Sequence, residues 1–142
     1  MRCNGAAVVR WILFLFTLAW VTISMVLPST SLAWLRSEFS LIGQPLNWID
    51  SLWPSADVMH VLLFALLSLT SRLAFPTLPL RVLIVCLALF AGASEAIQLW
   101  VPGREPWMSD FVLDMVGVLA GVLSGALCTI GWRRFLTQKH GS

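Results

Sequence analysis

The chain alternates between long apolar runs and short polar breaks, and four of the runs are long enough to cross a bilayer as helices. A hydrocarbon core about 30 Å thick requires roughly 17 to 25 predominantly apolar residues in helical conformation. Runs of that length occupy residues 11–27, 56–73, 80–101 and 108–132. The pattern therefore predicts an all-α, polytopic membrane protein with four transmembrane helices in a compact bundle.

The composition supports a single membrane domain. Of the 142 residues, 58% are hydrophobic and only 11% are charged, and the mean hydropathy is +0.86. A soluble globular domain carries a larger charged fraction, about 25%. We therefore expect residues 1–142 to form one integral membrane domain without a separate soluble domain. The net charge of +2 gives no reason to expect nucleic-acid binding.

The few cations predict how the chain is oriented in the membrane. They lie before the first run, beside the connection between the second and third runs, and after the last run: Arg2, Arg10, Arg72, Arg81, Arg133, Arg134 and Lys139. Cytoplasmic segments of membrane proteins carry an excess of such residues. Both termini are therefore predicted to be cytoplasmic, in a multi-pass membrane protein. The first run exceeds the roughly 7 to 15 residues of a secretory signal core, so we expect an uncleaved anchor.

Residues 28–55, between the first two runs, lie on the outer side in this topology. Three prolines, Pro28, Pro45 and Pro54, are expected to break the segment because proline lacks a backbone N–H and disrupts helix interiors. Many of the other side chains are nevertheless too apolar to lie freely in water. The segment is therefore predicted to follow the outer membrane interface, with a short amphipathic helix over residues 32–39.

Seven polar residues lie within the last three runs near their outer ends, or in the loop just above: Asp57, His60, Glu95, Gln98, Arg104, Asp110 and Asp114. Ionisable groups within membrane-spanning segments are costly and by default indicate a functional site. With a rise of about 1.5 Å per residue, His60, Glu95 and Asp114 are expected roughly 9 Å below the outer helix ends. Asp57, Gln98 and Asp110 form a shallower layer, and Arg104 lies in the loop.

Glycines continue the helical stripe of Asp110 and Asp114 toward the inner side. Gly117, Gly121 and Gly125 follow one another at intervals of four residues. Small residues at this spacing allow membrane helices to approach one another closely. We expect the glycines to pack the last helix against its neighbours and to hold both aspartates toward the bundle interior.

The order and spacing of these residues resemble the VanZ-like family of membrane proteins. The resemblance is carried by SADVMHVLLF at 55–64, EAIQLWVPGR at 95–104 and SDFVLDMVGVLAG at 109–121. The chain departs from the family at Val58, where a lysine is common, and at Asp114, where an asparagine is usual. The resemblance implies a protein of the bacterial cell envelope, located in the inner membrane. Through the namesake of the family it is linked to resistance against the glycopeptide antibiotic teicoplanin. The resemblance implies no particular biochemical activity.

The net negative charge of these polar residues limits the ways in which they can be stabilised in the membrane. Four carboxylates against one guanidinium leave roughly three negative charges if the histidine is neutral, and close carboxylates cannot all stay ionised unaided. A divalent metal ion is one solution, since carboxylates and an imidazole form a plausible ligand set. The candidate metal ligands are Asp57, His60, Glu95, Asp110 and Asp114.

Under this hypothesis the protein is a metal-dependent enzyme of the outer leaflet. His60, Glu95 and Asp114 are its candidate catalytic residues, because an imidazole or a carboxylate beside a metal can act as acid or base. The expected partners are membrane lipids, with a phospholipid, a polyprenyl phosphate or another envelope precursor as substrate. The candidate binding residues are Asp57, Gln98, Arg104 and Asp110.

The close carboxylates can also be stabilised by pairing within the protein, without a metal ion. The polar residues then pair with one another and lock the helix bundle, as suits a non-catalytic interaction protein of the membrane. Asp57 and Asp110 lie near helix N-termini, where the helix dipole favours an acid. Capping explains neither Glu95, which is near a helix C-terminus, nor Asp114, which is one turn deeper than Asp110. The sequence leaves enzyme and interaction protein both open, together with the oligomeric state.

Overall fold

The computed structural model describes residues 5–52, 58–105 and 107–139, except for the side chains of residues 42, 46, 49, 50, 52 and 132–139. These residues form six helices and no strand: α1 (Gly5–Val26), α2 (Ser29–Glu38), α3 (Ser40–Leu52), α4 (Val58–Ala74), α5 (Leu80–Gln98) and α6 (Met108–Lys139). The all-helical fold class is confirmed for the described part of the chain.

Three of the helices, α1, α5 and α6, are long and apolar enough to cross a membrane. Helix α4 is also apolar but has 17 residues, which places it at the lower limit of roughly 17 to 25 for a membrane span. The predicted ends differ where local chemistry overrides hydropathy. Helix α5 ends at Gln98 rather than at residue 101, and residues 99–103 form turns in which Gly103 has a φ of 74°. Helix α1 begins at Gly5, and α6 continues to Lys139.

The segment between α1 and α4 is more helical than its prolines suggest. Helix α2 covers the predicted amphipathic helix, whereas α3 was not expected, and Pro45 lies inside it. The expectation that Pro45 breaks the segment is therefore wrong. Proline at this position withholds a donor from the carbonyl of Leu41, four residues earlier. Leu41 is 92% exposed, so that carbonyl is not enclosed in the core. Pro54 lies outside the described residues.

Helix α4 is the centre of the bundle and packs on α1, α3, α5 and α6. The apolar core is built from four helices: Val21, Met25, Leu63, Phe64, Leu67, Leu83, Leu87, Ala91, Val118 and Val122. The opposite faces of the long helices carry large apolar side chains that are not covered, such as Phe16, Leu89 and Leu127. Apolar surfaces this extensive are unusual on a soluble monomer. They indicate a membrane-embedded protein.

Three glycines of α6, which we call the glycine seam, lie directly against α4. A β-carbon on Gly117 would collide with the carbonyl oxygen of Val61, and one on Gly121 with that of Ala65. A β-carbon on Gly125 would lie 2.8 Å from Cβ of Arg72. The backbones of α4 and α6 therefore touch along this seam, which begins three residues after Asp114.

Candidate functional site

The beginning of α4, the end of α5 and the beginning of α6 each direct one ionisable side chain to the same point in the bundle. Nδ1 of His60 lies 2.8 Å from Oδ1 of Asp114 and 3.8 Å from Oε1 of Glu95. Each of these three residues offers a ligand atom within 4.8 Å of those of the other two. We call His60, Glu95 and Asp114 the triad.

Local helix geometry explains why the triad forms. His60, Phe64 and Ser68 follow one another at four-residue intervals and are all buried, because side chains four apart share one face of a helix. The glycine seam brings α6 onto that face of α4. Asp114 is consequently 0% exposed and His60 only 3% exposed. Close backbone packing is what lets the short aspartate side chain reach the imidazole.

The pair of His60 and Asp114 has a defined chemistry. An ionised carboxylate only accepts hydrogen bonds, so beside a charged Asp114 the Nδ1 atom of His60 is the donor. The second ring nitrogen, Nε2, then carries the lone pair of a neutral imidazole. Carboxylates orient metal-binding and catalytic histidines in this way. The pair can therefore hold a proton or fix a histidine ligand.

Glu95 is the member of the triad whose environment leaves it unsatisfied. Both of its carboxylate oxygens are buried, and neither has a hydrogen-bond partner among the described residues. His60, Asp114, Asp110 and Arg104 all lie within electrostatic range of it. A buried carboxylate without hydrogen bonds is costly and needs a proton or a cation to neutralise it. A proton on Glu95, a proton on His60 at 3.8 Å or a bound cation would each supply the positive charge.

Two cavities approach the triad from different sides. The first has a volume of about 370 Å³, lies between α1, α2 and α4, and is lined by His60, Arg36 and Arg104 among mainly apolar residues. The second has a volume of about 350 Å³, lies between α5 and α6, and is lined by Glu95 beside Gly92 and other apolar residues. We call the first the α4 cavity and the second the α5/α6 groove. Each cavity therefore borders one member of the triad, His60 or Glu95.

Two predicted binding residues point toward the end of α1. Nε2 of Gln98 donates to the sulfur of Met25 at 3.2 Å. Nη2 of Arg104 donates to the carbonyl oxygen of Ser24 at 3.0 Å, and Nε to that of Leu27 at 3.5 Å. An arginine at a helix C-terminus satisfies carbonyls and complements the helix dipole. Arg104 therefore ties the α5–α6 loop to α1 while it lines the α4 cavity.

The remaining predicted ligands are not part of the triad. Asp110 is half-buried in the first turn of α6, where Oγ of Ser109 donates to its Oδ1 at 3.4 Å. Asp57 lies outside the described residues. Of the five predicted metal ligands, the structure brings together His60, Glu95 and Asp114. Metal binding by Asp57 and Asp110 stays a prediction.

Residues of α2 and of the end of α1 line the α4 cavity, which the sequence did not predict. Leu32, Leu35 and Arg36 of α2 line the α4 cavity together with Met25 of α1. The three α2 residues are spaced three and four apart, which places them on one helix face. That spacing could have indicated that α2 covers another element. Nothing in the sequence pattern shows which helices it covers.

A family model described as VanZ/LLP1 matches residues 11–129. No curated protein and no solved structure matches the chain. The matched residues include the whole triad and the glycine seam.

Proposed function

Because the chain belongs to the VanZ/LLP1 family and buries a carboxylate beside a histidine and an aspartate, we propose that it is a multi-pass protein of the bacterial cell envelope whose triad binds a divalent cation. The observation that carries the proposal is the state of Glu95. Its two oxygens are buried without a hydrogen-bond partner among the described residues, at a point where two further ligand atoms converge.

The ligand set suits such a cation. When an ion binds, it takes the place of the proton between Nδ1 of His60 and Asp114. One imidazole and two carboxylates then form a borderline to hard set, compatible with Zn²⁺, Mn²⁺ or Mg²⁺. Ligand atoms about 2.0–2.2 Å from a zinc ion lie at most about 4.4 Å apart. The triad's ligand atoms lie within 4.8 Å of one another, so closing the triad by a few tenths of an ångström brings every pair within that limit when such an ion binds. Three protein ligands leave coordination positions open, which is typical of catalytic rather than structural zinc sites. When bound, such an ion polarises phosphoryl or carbonyl oxygens.

The proposed topology has four membrane spans, with the 17-residue α4 as the short one. Both termini are cytoplasmic, α2 and α3 lie at the outer interface of the inner membrane, and the α4 cavity opens to the outer side. The distribution of arginine and lysine supports this orientation. The test is labelling of intact cells with a membrane-impermeant thiol reagent, after the native cysteines are replaced by serine. We expect Gln44→Cys to be labelled and Gly141→Cys to be protected, and the reverse result would invert the topology.

Cation binding is tested on purified protein in neutral detergent. We expect one equivalent of Zn²⁺ or Mn²⁺ to bind in competition with a chromophoric chelator, and Glu95→Gln to weaken it about tenfold or more, since loss of one ligand costs at least about 1.4 kcal/mol. Glu105→Gln is the matched control, because Glu105 is an exposed acid. Equal affinity of both variants and the wild type, or no binding by the wild type, would refute the cation site.

The hydrogen bond of 2.8 Å between His60 and Asp114 favours a second candidate. In that function the triad only locks α4 to α6, and the protein is a non-catalytic interaction protein. The two candidates differ in what Glu95→Gln does in cells. A cation site predicts a folded variant that loses the envelope phenotype, measured as sensitivity to teicoplanin. A lock predicts that a folded Glu95→Gln protein keeps it.

A further inference from the structure

The α4 cavity combines a polar rim with apolar walls. His60 of α4, Arg36 of α2 and Arg104 of the α5–α6 loop lie among residues such as Ile23, Leu35 and Leu63. No carboxylate lines this cavity within the part of the chain that the structure describes. Among the described residues, the charged side chains that line the cavity are therefore the two arginines, although the neighbouring triad contains two acids.

The geometry of Arg104 leaves it able to bind a further group. A guanidinium has five N–H donors in a fixed planar arrangement. The contacts of Arg104 to the carbonyls of Ser24 and Leu27 use its Nη2 and Nε atoms. These contacts also hold the side chain in place, so that little rotamer entropy is lost when an anion binds. Arginine is well suited to phosphate because its donors match two phosphate oxygens at once.

The walls and the volume indicate what accompanies the anion. About 370 Å³ lies near the lower end of the roughly 300–1,000 Å³ of small-molecule sites. Apolar side chains dominate the lining, and Ile23 is also 53% exposed on the outer surface of α1. A hydrocarbon tail can therefore pass from the cavity to the lipid-facing surface. The small volume fits one tail rather than two.

We propose that the α4 cavity binds an anionic lipid, with a phosphate headgroup at Arg104 and one hydrocarbon tail along the apolar walls. This deepens the cation-site proposal, on which it rests only for what happens to the headgroup beside His60. Binding of the lipid itself depends on Arg104 and the apolar walls. It should therefore persist when a chelator removes divalent cations.

The test uses the full chain in neutral detergent with a chelator present, and dodecyl phosphate as the probe. Native mass spectrometry measures its occupancy against dodecanol, dodecyltrimethylammonium and inorganic phosphate. We expect dodecyl phosphate to bind about tenfold or more tightly than each of the other three, a difference of about 1.4 kcal/mol. Equal binding of dodecanol would refute recognition of the anion. Equal binding of inorganic phosphate would refute a lipid ligand.

Matched variants locate the site. Arg104→Gln and Leu35→Trp should each reduce dodecyl phosphate binding about tenfold, by removing the anion contact and by filling the cavity. Arg81→Gln and Leu41→Trp are the controls, since Arg81 and Leu41 are exposed and do not line the cavity. Helix α2 has no buried residue, so Leu35→Trp should fold even if Arg104→Gln does not. Unchanged binding by folded Leu35→Trp protein would overturn the proposal.

The outcomes for lipid and cation are separate. If dodecyl phosphate binds in chelator while Zn²⁺ and Mn²⁺ do not bind at all, the cation site is refuted and the lipid site stands. If the cations bind and dodecyl phosphate does not, the lipid site is refuted and the cation site stands.

Discussion

The buried serines in the second half of α4 and the buried histidine in its first half find their hydrogen-bond partners in different ways. In the second half, Oγ of Ser68 donates to the carbonyl of Phe64 at 2.6 Å, and Oγ of Ser71 to that of Leu67 at 2.6 Å. These hydroxyls are satisfied within their own helix. In the first half, Nδ1 of His60 lies 2.8 Å from a carboxylate of α6 and 3.8 Å from one of α5.

The difference shows which buried polar residues require an explanation. The hydroxyl of a serine or threonine in a membrane helix can donate to a carbonyl of the preceding turn. It therefore needs no hydrogen-bond partner from another helix. His60 depends on side chains from two other helices, and Glu95 keeps both oxygens without a hydrogen bond among the described residues. A buried polar side chain is therefore weak evidence of function. A buried charge that its own structure does not satisfy is stronger evidence.

The contrast depends on the direct contact of α6 with α4, and Gly121→Leu should break that contact. Its side chain would collide with the carbonyl of Ala65 and with Cβ of Ser68. Overpacking costs about 1–3 kcal/mol or more, and we expect a loss of about 3 kcal/mol or more here, the largest of the four effects. Unfolding in mixed micelles measures it.

Gly131→Leu is the matched control, because a β-carbon on Gly131 meets no atom within 4 Å. It replaces glycine in the same helix with a better helix former and should be neutral or stabilising. A similar loss in both variants would mean that the glycine seam does not set the packing.

The two halves of α4 can be compared directly by truncating one polar residue in each. His60→Ala removes a hydrogen bond to a carboxylate, and we expect it to destabilise the protein by about 1.5–3 kcal/mol. Ser68→Ala removes only a bond within α4, and the expected loss is about 0.6 kcal/mol or less. Denaturation of both variants in the same micelles gives the difference. Equal losses would show that the two kinds of polar residue are energetically alike.

Glu95→Gln sharpens the contrast because it should separate stability from binding. Removal of a charge without hydrogen bonds from the apolar interior should leave stability in chelator unchanged or raise it by about 1 kcal/mol. Added Zn²⁺ should then stabilise the wild type and not the variant, as expected for a ligand that binds only the folded state. Thermal unfolding with and without the ion measures both. A clear loss of stability in chelator would instead identify Glu95 as part of a structural lock.

The smallest effect is expected at the contact between α1 and α4. The hydroxyls of Thr17 and Thr70 lie 2.7 Å apart, and each also contacts carbonyls of its own helix. Hydrogen bonds between membrane helices contribute about 0.6 kcal/mol on average. A double-mutant cycle with Thr17→Val and Thr70→Val should give a coupling energy of about that size. A coupling energy several times larger would mean that the two threonines depend on each other even though each hydroxyl also bonds to its own helix.

The sequence predicted the convergence on the triad better than it predicted the rest of the site. A count of about 1.5 Å per residue gives the depth of a side chain along a helix, and His60, Glu95 and Asp114 do meet at one point. The depth of a residue does not determine in which direction its side chain points around the helix axis, or which residue it contacts. Gln98 and Arg104 were therefore placed at the right end of the bundle without their contacts to α1.

The α4 cavity could not be predicted, because it depends on how α2 lies against α1 and α4. An interfacial helix has apolar residues on one face whether it covers membrane or protein. The hydropathy of residues 32–39 therefore did not distinguish the two. The effect of Pro45 could not be predicted for a related reason. The free-energy cost of its missing N–H depends on whether the carbonyl left without that donor is buried.

His60 lines the α4 cavity and at the same time bonds to Asp114, so one imidazole lies between the two proposed binding sites. Thermodynamic reciprocity then fixes a relation between them. Whatever factor a bound cation applies to the affinity of the anionic lipid, the lipid must apply to the affinity of the cation. Where that factor differs from one, the lipid content of the membrane shifts the metal concentration at which the protein is loaded.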